Sequence, residues 1–292
     1  MKYKMAIIDI DGTLVDKNGH IAEEDKQAIA RLTFSSVIVA LCTGRVVQSA
    51  KPVVQELDLN TFNVFYDGAF IVNQYSKRKL FSKPIDAALV RELVDFSRQN
   101  NSYLELYSNG FSSHPDNPKF LANWSDTTVA DFLYAERPNW SDAIHREFFN
   151  MEPMEVNFDD IVGKKEIFKA EILVNNDEEA MQAKQLKEHF GDRLRYSIAH
   201  SPAFPEVDFI NLLHPQVSKG TALKQLIDYW GHPASEIVAI GDGLNDIPIM
   251  EMVETSVAMG NACDELKRVS NYVTNTIEEH GVAMAINYFF PV

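Results

Sequence analysis

The sequence predicts an α/β protein in which a doubly wound, Rossmann-like parallel sheet carries an inserted α+β domain. Two observations lead to this prediction. Apolar, β-branched runs alternate with amphipathic helical segments in residues 1–82 and again in residues 214–292, the pattern of a parallel sheet covered by helices on both faces. In residues 83–213 the pattern changes to strands with one polar face and to loop-like stretches. We therefore predict a core formed by residues 1–82 and 214–292, and a separate cap domain formed by residues 83–213.

The first part of the core has the pattern strand, helix, strand, helix, strand. Met5–Ile10 is an apolar run, and Ile21–Leu32 has helical spacing with acidic residues in its first turn, where they complement the helix dipole. Val37–Leu41 is almost wholly apolar, as expected of a strand buried on both faces. Helical spacing returns in Val46–Leu57, and Val64–Tyr66 is the third predicted strand.

The inserted region has clear elements at its two ends and a weak pattern between them. The alternation in its last strand indicates only one strongly apolar face, unlike the strands of the core. The predicted elements are the helix Asp86–Gln99, the strand Tyr103–Tyr107, a loop-like stretch Asn109–Asn117, the strand Phe168–Val174, the helix Asp177–Phe190, and the strands Leu194–Ala199 and Val207–Leu213.

The core pattern resumes after residue 213. Ser218 is a suitable N-cap for a helix over Lys219–Trp230, because a serine hydroxyl can accept from a free backbone N–H of the first turn. Ile237–Ile240 is another buried strand. The chain then continues with a strand, Ser256–Met259, and with helices near Cys263–Val269 and Glu278–Phe289.

Composition excludes several classes of function. The chain has 292 residues, 46% of them hydrophobic and 24% charged, which is ordinary for a globular protein large enough for two domains. Its formal charge of -15 argues against a nucleic-acid or anionic-membrane partner, since both would be repelled over most of the surface. An anionic small-molecule substrate would therefore need a local positive site.

The cysteine content and the apolar runs lead us to expect a cytoplasmic protein. The two cysteines, Cys42 and Cys263, are too few for a disulfide scaffold or a thiolate zinc site, which fits a reducing compartment. No apolar run approaches the roughly 20 residues of a membrane-spanning helix. Asp9 and Asp11 also interrupt the apolar stretch that a signal peptide would need.

The most informative stretch is the acidic end of the first strand. Asp9 and Asp11 project from the same face of an extended strand, just where the apolar run ends. Two carboxylates so placed repel each other unless a cation lies between them, and a hard divalent ion such as Mg2+ would relieve the repulsion. Gly12 then lets the backbone turn sharply. An acidic surface turn is the alternative, and a calcium loop is disfavoured because its later ligands are missing.

Polar clusters follow three predicted core strands. These are Asp9 and Asp11, Thr43-Gly44, and Asp242-Asn245-Asp246, while Lys219 opens a nearby helix. Each alone could be a helix cap, a turn or a solvated charge. Ligands of open α/β sheets bind beyond the carboxyl ends of the strands, where these clusters would meet. Together they supply carboxylates that can bind a metal ion. They also supply a hydroxyl group, backbone amides and a cation that can bind an oxyanion, and this combination suits phosphoryl transfer.

The four motifs in order resemble the haloacid dehalogenase superfamily of aspartate-nucleophile phosphatases. The motifs are D-x-D-G-T-L from Asp9, T-G-R from Thr43, V-S-K-G from Val217 and G-D-G-x-N-D from Gly241. Within the superfamily the chain most resembles the Cof-type sugar-phosphate phosphatases. The interval from Asp11 to Thr43 is too short for a cap domain, whereas the interval from Thr43 to Lys219 can hold one. The resemblance therefore implies a cap inserted in the second interval.

This resemblance implies a role for each motif residue. Asp9 would be the nucleophile that forms an aspartyl-phosphate, and Asp11 the general acid and base. Mg2+ would be held by the Asp9 carboxylate, the Asp11 carbonyl and the Asp242 carboxylate, with Asp246 in or near the outer shell. The implied phosphate-binding residues are Thr43, Gly44, Lys219 and Asn245. The expected reaction is Mg2+-dependent hydrolysis of small phosphorylated metabolites.

Two positions remain open at this stage. Arg45 can reach substrate or form a surface ion pair. Asp67 in Asp67-Gly68-Ala69 stands where many members of the family have asparagine, so an extra acid lies near the mouth of the site.

Alternatives also remain for the activity and for the cap. A phosphotransferase or phosphomutase would use the same site. A signalling receiver also surrounds an aspartate with a Thr and a Lys. A non-catalytic protein could use the same residues only to bind a phosphosugar. The candidate substrate contacts in the cap are Tyr107, Phe111, His114 and Trp124, for which packing of the cap core is the alternative.

Overall fold

A computed structural model of the protein describes residues 2–109 and 131–291, which form three sheets and the helices around them. The strands are β1 (Met5–Ile8), β2 (Ile38–Leu41), β3 (Phe62–Phe65), β4 (Phe70–Asn73), β5 (Arg78–Ser82), β6 (Glu105–Asn109), β7 (Asp131–Ala135), β8 (Pro153–Glu155), β9 (Ile167–Val174), β10 (Arg195–Ser201), β11 (Phe204–Leu213), β12 (Ile237–Gly241), β13 (Thr255–Ala258) and β14 (Tyr272–Val273). The helices are α1 (Glu23–Phe34), α2 (Val47–Glu56), α3 (Ala87–Gln99), α4 (Asp142–Glu147), α5 (Asp177–Phe190), α6 (Lys219–Trp230), α7 (Ile247–Met250), α8 (Asp264–Val269) and α9 (Gly281–Phe289).

The core is a parallel sheet with the strand order β14-β13-β12-β1-β2. Every pair of neighbouring strands in it is parallel, and Met5 of β1 lies opposite Ile237 of β12 on one side and Ile38 of β2 on the other. The residues of β1 and β12 are all buried, because helices cover both faces. The carboxyl ends of β12, β1 and β2 therefore lie side by side at one edge of the sheet.

A second sheet, which we call the cap sheet, has the order β10-β11-β9-β6-β7-β8. It is antiparallel except for the pair β7 and β8. One of its faces packs on α3 and α5 and forms a separate hydrophobic cluster with residues such as Leu93, Ala170 and Leu186. A parallel α/β core with a separate α+β unit confirms the predicted fold class. The division at residues 82/83 and 213/214 stays a prediction.

The third strand differs from the prediction. We expected it to join the parallel sheet, but β3 pairs antiparallel with β4, and β4 with β5, in a small meander of three strands. In the described part of the chain, a single parallel bridge, between Cys42 and Val64, links β3 to the end of β2. The cause is the tight turn at Tyr66–Gly68, in which Asp67 has a φ of 51° and Gly68 a φ of 109°, so that the chain reverses at once.

Other predicted elements agree closely with the structure. The helices Asp177–Phe190 and Lys219–Trp230 have the predicted bounds. The Ser218 hydroxyl accepts from the Thr221 backbone N–H at 3.1 Å, and the Thr221 hydroxyl accepts from the Ser218 N–H at 2.9 Å. This capping box fixes the start of α6 and therefore the position of Lys219. The predicted loop-like stretch lies outside the described residues after Asn109.

Among the described residues, we find no helix with the length and apolar character needed to cross a lipid bilayer.

Gly68 provides a test of the turn that sets the meander. A Cβ at Gly68 would lie 2.2 Å from the Ser218 carbonyl oxygen, whereas a Cβ at Gly19, which also has a positive φ, would meet nothing within 4 Å. We expect Gly19→Ala to cost about 1 kcal/mol of unfolding free energy from backbone strain alone. We expect Gly68→Ala to cost about 2–4 kcal/mol, because the turn must move away from α6. Urea unfolding of both variants measures the difference, and equal losses would contradict the close packing.

Candidate active site

The sheet edge opens into a cavity of about 270 Å3 between the core and the cap sheet. Its floor is formed by residues that follow the three central strands. The predicted site residues that line it are Asp9, Asp11, Thr43, Gly44, Asp242 and Asn245. Lys219, the remaining predicted residue, is buried behind this floor and does not line the cavity. The structure thus brings all seven residues together at the position that the strand ends define.

Lys219 binds two carboxylates at once. Its ammonium group lies 2.8 Å from Asp9 Oδ1 and 2.7 Å from Asp246 Oδ1, and the lysine side chain is fully buried. Burial would lower the pKa of Lys219, but Asp246 and Asp9 outweigh it and raise the pKa well above its ordinary value. Lys219 is therefore charged at every physiological pH and fixes the orientation of the Asp9 carboxylate.

Three carboxylates crowd this lysine. Oxygen atoms of Asp9, Asp242 and Asp246 lie within 4.8 Å of one another. Burial raises the pKa of Asp9 well above its ordinary value, and the nearby charge of Asp246 adds to this shift, although Lys219 opposes it. The same two causes raise the pKa of Asp242 to about 7. With all three carboxylates ionised, the cluster would carry more negative charge than one ammonium group neutralises, and the raised pKa values of Asp9 and Asp242 reflect that cost.

The hydrogen bonds show which oxygens of the cluster are free. Asp246 Oδ2 accepts from the backbone N–H groups of Asp242 at 3.1 Å and Gly243 at 3.0 Å, so both oxygens of Asp246 are occupied. Thr13 Oγ1 donates to Asp242 Oδ1 at 2.7 Å. Within residues 2–109 and 131–291, no donor reaches Asp9 Oδ2 or Asp242 Oδ2. These two oxygens could hold a hard divalent cation, and the donor set fits Mg2+.

Asp11 forms a partly buried ion pair with Arg45. Arg45 donates from Nη2 to Asp11 Oδ1 at 2.6 Å and from Nε to Asp11 Oδ2 at 2.8 Å. Burial would lower the pKa of Arg45, but Asp11 raises it above its ordinary value. The Arg45 side chain is only 9% exposed, so the surface ion pair considered from the sequence is in fact an interior, bidentate pair at the cavity wall.

Thr43 and Gly44 form the loop after β2. The Arg45 backbone N–H donates to Thr43 Oγ1 at 3.0 Å, which sets the hydroxyl rotamer. A Cβ at Gly44 would lie 3.1 Å from Asp67 Oδ1, tighter than an ordinary contact. Asp67 is buried and accepts from Asn245 Nδ2 at 3.0 Å. The loop therefore packs against a carboxylate that also holds one of the predicted phosphate-binding residues.

The opposite wall of the cavity comes from the cap sheet and carries buried polar side chains. Lys169 lies 2.7 Å from Glu171 and 4.2 Å from the centre of the Tyr107 ring. The Tyr107 hydroxyl lies within hydrogen-bond distance of Glu105 and Glu171, at 2.9 Å and 3.2 Å. Of the four cap candidates named from the sequence, Tyr107 lines the cavity, while Phe111, His114 and Trp124 lie outside the described residues.

His145 completes this polar network. Its Nε2 lies 2.9 Å from Glu105 Oε2, and both side chains are buried. Burial would lower the pKa of His145, but Glu105 raises it above its ordinary value. Burial would likewise raise the pKa of Glu105, but His145 lowers it below its ordinary value. The pair is therefore ionised, and the network balances its charges.

Sequence reasoning missed His145, Lys169, Glu171 and Asn211 as cavity residues. A signal for two of them was present, because Lys169 and Glu171 alternate with apolar residues along β9, a pattern that marks a strand with one polar face. His145 comes from a weakly patterned stretch, and its neighbours in space are distant in sequence. Asn211 lies in a strand that reads as largely apolar.

The fold and the site define the class of protein. Aspartates at the carboxyl end of a parallel strand, a buried lysine and an enclosed cavity suit phosphoryl-transfer chemistry. The chain is a member of the haloacid dehalogenase-like hydrolase family, whose model matches residues 6–286. The enzyme class and the resemblance stated from the sequence are thereby confirmed.

Named phosphatases are among its relatives. The 5-amino-6-(5-phospho-D-ribitylamino)uracil phosphatases YwtE and YitU of Bacillus subtilis are each 28% identical to it. The YwtE match covers 97% of this chain and 97% of that protein, and the YitU match covers 97% and 96%. These matches support a phosphatase activity of the haloacid dehalogenase type on small phosphorylated molecules.

Solved structures share the whole fold. A haloacid dehalogenase-like hydrolase from Bacteroides thetaiotaomicron has a TM-score of 0.79 at 22% identity and covers 99% of this chain and 100% of its own. A subclass IIB sugar phosphatase of the superfamily has a TM-score of 0.77 at 19% identity, over 98% of both chains. At these identities the likeness concerns the fold.

The crowded carboxylates predict a pH-dependent gain of stability in Asp242→Asn. Because the folded-state pKa of Asp242 is raised to about 7, the wild type loses stability as the pH rises from about 4 through 7. The amide oxygen that the substitution introduces can still accept from Thr13. We expect the variant to be more stable than the wild type by about 1–3 kcal/mol at pH 8 in chelator, and similar to it near pH 4. Urea unfolding at both pH values measures this.

The matched control is Asp228→Asn, which removes an exposed carboxylate of α6. It should change stability by less than about 0.5 kcal/mol at either pH. A loss of stability at pH 8 in Asp242→Asn would contradict the charge excess.

Proposed function

We propose that the protein is a Mg2+-dependent phosphatase of small phosphorylated metabolites, sugar phosphates or similar phosphomonoesters, that works through an aspartyl-phosphate intermediate. The observation that carries the proposal is the Asp9 carboxylate at the cavity floor, held from behind by Lys219 on Oδ1 and with Oδ2 free. The cap domain, residues 83–213, would cover the site and exclude bulk water.

Asp9 is the nucleophile of the proposed reaction. One of its two oxygens attacks the phosphorus atom of the bound ester, so that a bond forms between Asp9 and phosphorus while the bond to the ester oxygen breaks, and the other oxygen remains for the metal site. Lys219 donates to Oδ1 at 2.8 Å, and its positive charge opposes the rise in the pKa of Asp9 that burial and Asp246 cause. Water then attacks the phosphorus of the aspartyl-phosphate, which releases phosphate and regenerates the Asp9 carboxylate.

Asp11 is the proposed general acid and base. It gives a proton to the leaving ester oxygen in the first step and takes one from the attacking water in the second. In this structure both Asp11 oxygens accept from Arg45 and are therefore occupied. Donation of a proton therefore requires Arg45 to turn away from Asp11, and the negative phosphoryl group is a suitable new partner for its guanidinium.

The phosphoryl oxygens would be bound by the loop after β2. Thr43, Gly44 and Asn245 line the same cavity as Asp9. Lys219 contributes its charge from behind the floor. With a cation bound to the surplus carboxylates, these groups would form the local positive site that a protein with a formal charge of -15 needs for an anionic substrate.

The proposed metal site consists of Asp9 and Asp242 with the Asp11 carbonyl. Asp246, whose oxygens are occupied by Lys219 and by two backbone N–H groups, holds the site from outside. A bound Mg2+ would supply a Lewis acid that neutralises phosphoryl charge. The free oxygens of Asp9 and Asp242 and the excess negative charge of the cluster support this assignment.

Phosphate release from a panel of esters tests the proposal. The panel holds sugar phosphates, nucleotides and 4-nitrophenyl phosphate, each with Mg2+ and with chelator. We expect Mg2+-dependent release by the wild type and a loss of at least about 1,000-fold in Asp9→Asn and in Asp11→Asn, because each variant lacks a group that takes part in bond formation or proton transfer. Asp11→Asn should still bind Mg2+, since its carbonyl remains.

The exposed aspartate variant Asp228→Asn serves as the matched control and should retain wild-type rates. Unchanged turnover in Asp9→Asn would refute the nucleophile assignment. Transfer of the phosphoryl group to an added sugar rather than to water would instead favour a phosphotransferase or mutase at the same site.

A further inference from the structure

One carboxylate joins the phosphate site to the cap sheet. Asp67 Oδ1 accepts from Asn245 Nδ2 at 3.0 Å, and Asp67 Oδ2 accepts from Asn211 Nδ2 at 2.9 Å. Asn245 follows β12 in the core, whereas Asn211 lies in β11 of the cap sheet. Asp67 and Asn211 are both buried. A single aspartate therefore sets the orientation of two amides on opposite sides of the cavity.

The orientation of Asn211 follows from the chemistry of its partner. A carboxylate only accepts hydrogen bonds, so the amide NH2 of Asn211 must face Asp67 and the amide oxygen must face away. That oxygen, Asn211 Oδ1, is buried and has no hydrogen-bond partner within residues 2–109 and 131–291. A buried acceptor without a donor is unfavourable, so a ligand that supplies the donor is bound more tightly.

The cap sheet places this acceptor in a polar row. Across the strands, Asn211 lies opposite Glu171 on one side and Ser197 on the other, and directly opposed residues project from the same face. Asn211 and Glu171 both line the catalytic cavity. The next row on this face is apolar and contains Phe209 and Leu173. The cap wall thus offers hydrogen-bonding groups beside an apolar surface.

The charges of this wall cancel. Lys169 and Glu171 form a buried pair, and no uncompensated cation faces the part of the cavity near Asn211 among the described residues. An organic group with its own negative charge would gain nothing there. A neutral group with hydrogen-bond donors, such as a hydroxylated carbon chain, can donate to Asn211 Oδ1 and to Glu171.

We propose that Asn211, held by Asp67, is a specificity-determining residue that accepts a hydrogen bond from a hydroxyl group of the substrate, and that Asp67 is its positioning residue. The inference rests on the proposed phosphatase function and names the substrate feature that the site selects. It also gives the aspartate at position 67 a role, because an asparagine there would not force one orientation on the Asn211 amide.

The direct test compares ribitol 5-phosphate with pentyl phosphate, which has the same carbon chain without hydroxyl groups. We expect the wild type to favour ribitol 5-phosphate in kcat/KM by at least about tenfold, and Asn211→Leu to reduce that ratio by about tenfold or more, since the hydroxyl then has no acceptor. Ser197→Ala, in the same row but outside the catalytic cavity, is the matched control and should keep the wild-type ratio.

A swap of the two side chains separates positioning from packing. In Asn211→Asp, two carboxylates face each other, and we expect a lower ratio and a lower thermal stability. In the double variant Asp67→Asn/Asn211→Asp, residue 67 can accept from Asn245 and donate to residue 211, whose second oxygen again accepts from substrate. We expect the double variant to recover the ratio to within about threefold of the wild type.

The outcomes are distinguishable. If the wild type hydrolyses neither ester, the proposed function fails and the inference fails with it. If the wild type hydrolyses both esters with equal kcat/KM, or if Asn211→Leu lowers both in parallel, the phosphatase stands and the specificity role is overturned. If the double variant folds but does not recover the wild-type ratio of kcat/KM for ribitol 5-phosphate over pentyl phosphate, the positioning role of Asp67 is overturned.

Discussion

The structure depends on a buried lysine between two carboxylates. Lys219 joins Asp9, at the end of β1, to Asp246, beyond the end of β12, and each of these groups alone would be costly in the interior. Breaking such a pair leaves an uncompensated buried charge, so the strand ends and the start of α6 are tied to one geometry. The same contact fixes the carboxylate of Asp9, the proposed nucleophile, and leaves one of its oxygens free. Stability and chemistry thus share one interaction, and the surplus negative charge around it is what a divalent cation would balance.

A second carboxylate organises the space above this floor. Asp67 lies in a turn with a positive φ, packs closely on Gly44 and binds one amide from the core and one from the cap sheet. Such a backbone conformation is costly for a residue other than glycine and persists where the surroundings determine it. The strained turn therefore places a charged acceptor where the loops after β2 and β12 meet the cap sheet. Asp67 thereby links the position of the cap sheet to the position of the loop after β12.

Much of this architecture could be predicted from the sequence because it follows from local patterns. The buried runs that became β1, β2 and β12 end in the polar residues that meet at the sheet edge, and Ser218 caps α6 as its residue type suggests. Side-chain pairings could not be predicted this way. The bidentate contact of Arg45 with Asp11, and the contacts of Asp67, join residues far apart in sequence, and the antiparallel pairing of β3 depends on a turn conformation that residue type alone does not fix.

The central claim is that Asp9 forms the covalent intermediate. The most direct measurement is mass spectrometry of peptides from enzyme that is mixed with an excess of a rapidly hydrolysed ester in the presence of Mg2+ and quenched in acid within milliseconds. The account predicts that the peptide containing Asp9 gains the mass of one phosphoryl group, that the modification maps to Asp9, and that hydroxylamine removes it, as expected of an acyl phosphate. The account would be contradicted if the wild-type enzyme turns over the ester at full rate while the phosphoryl group of the ester is found on another residue or on no residue.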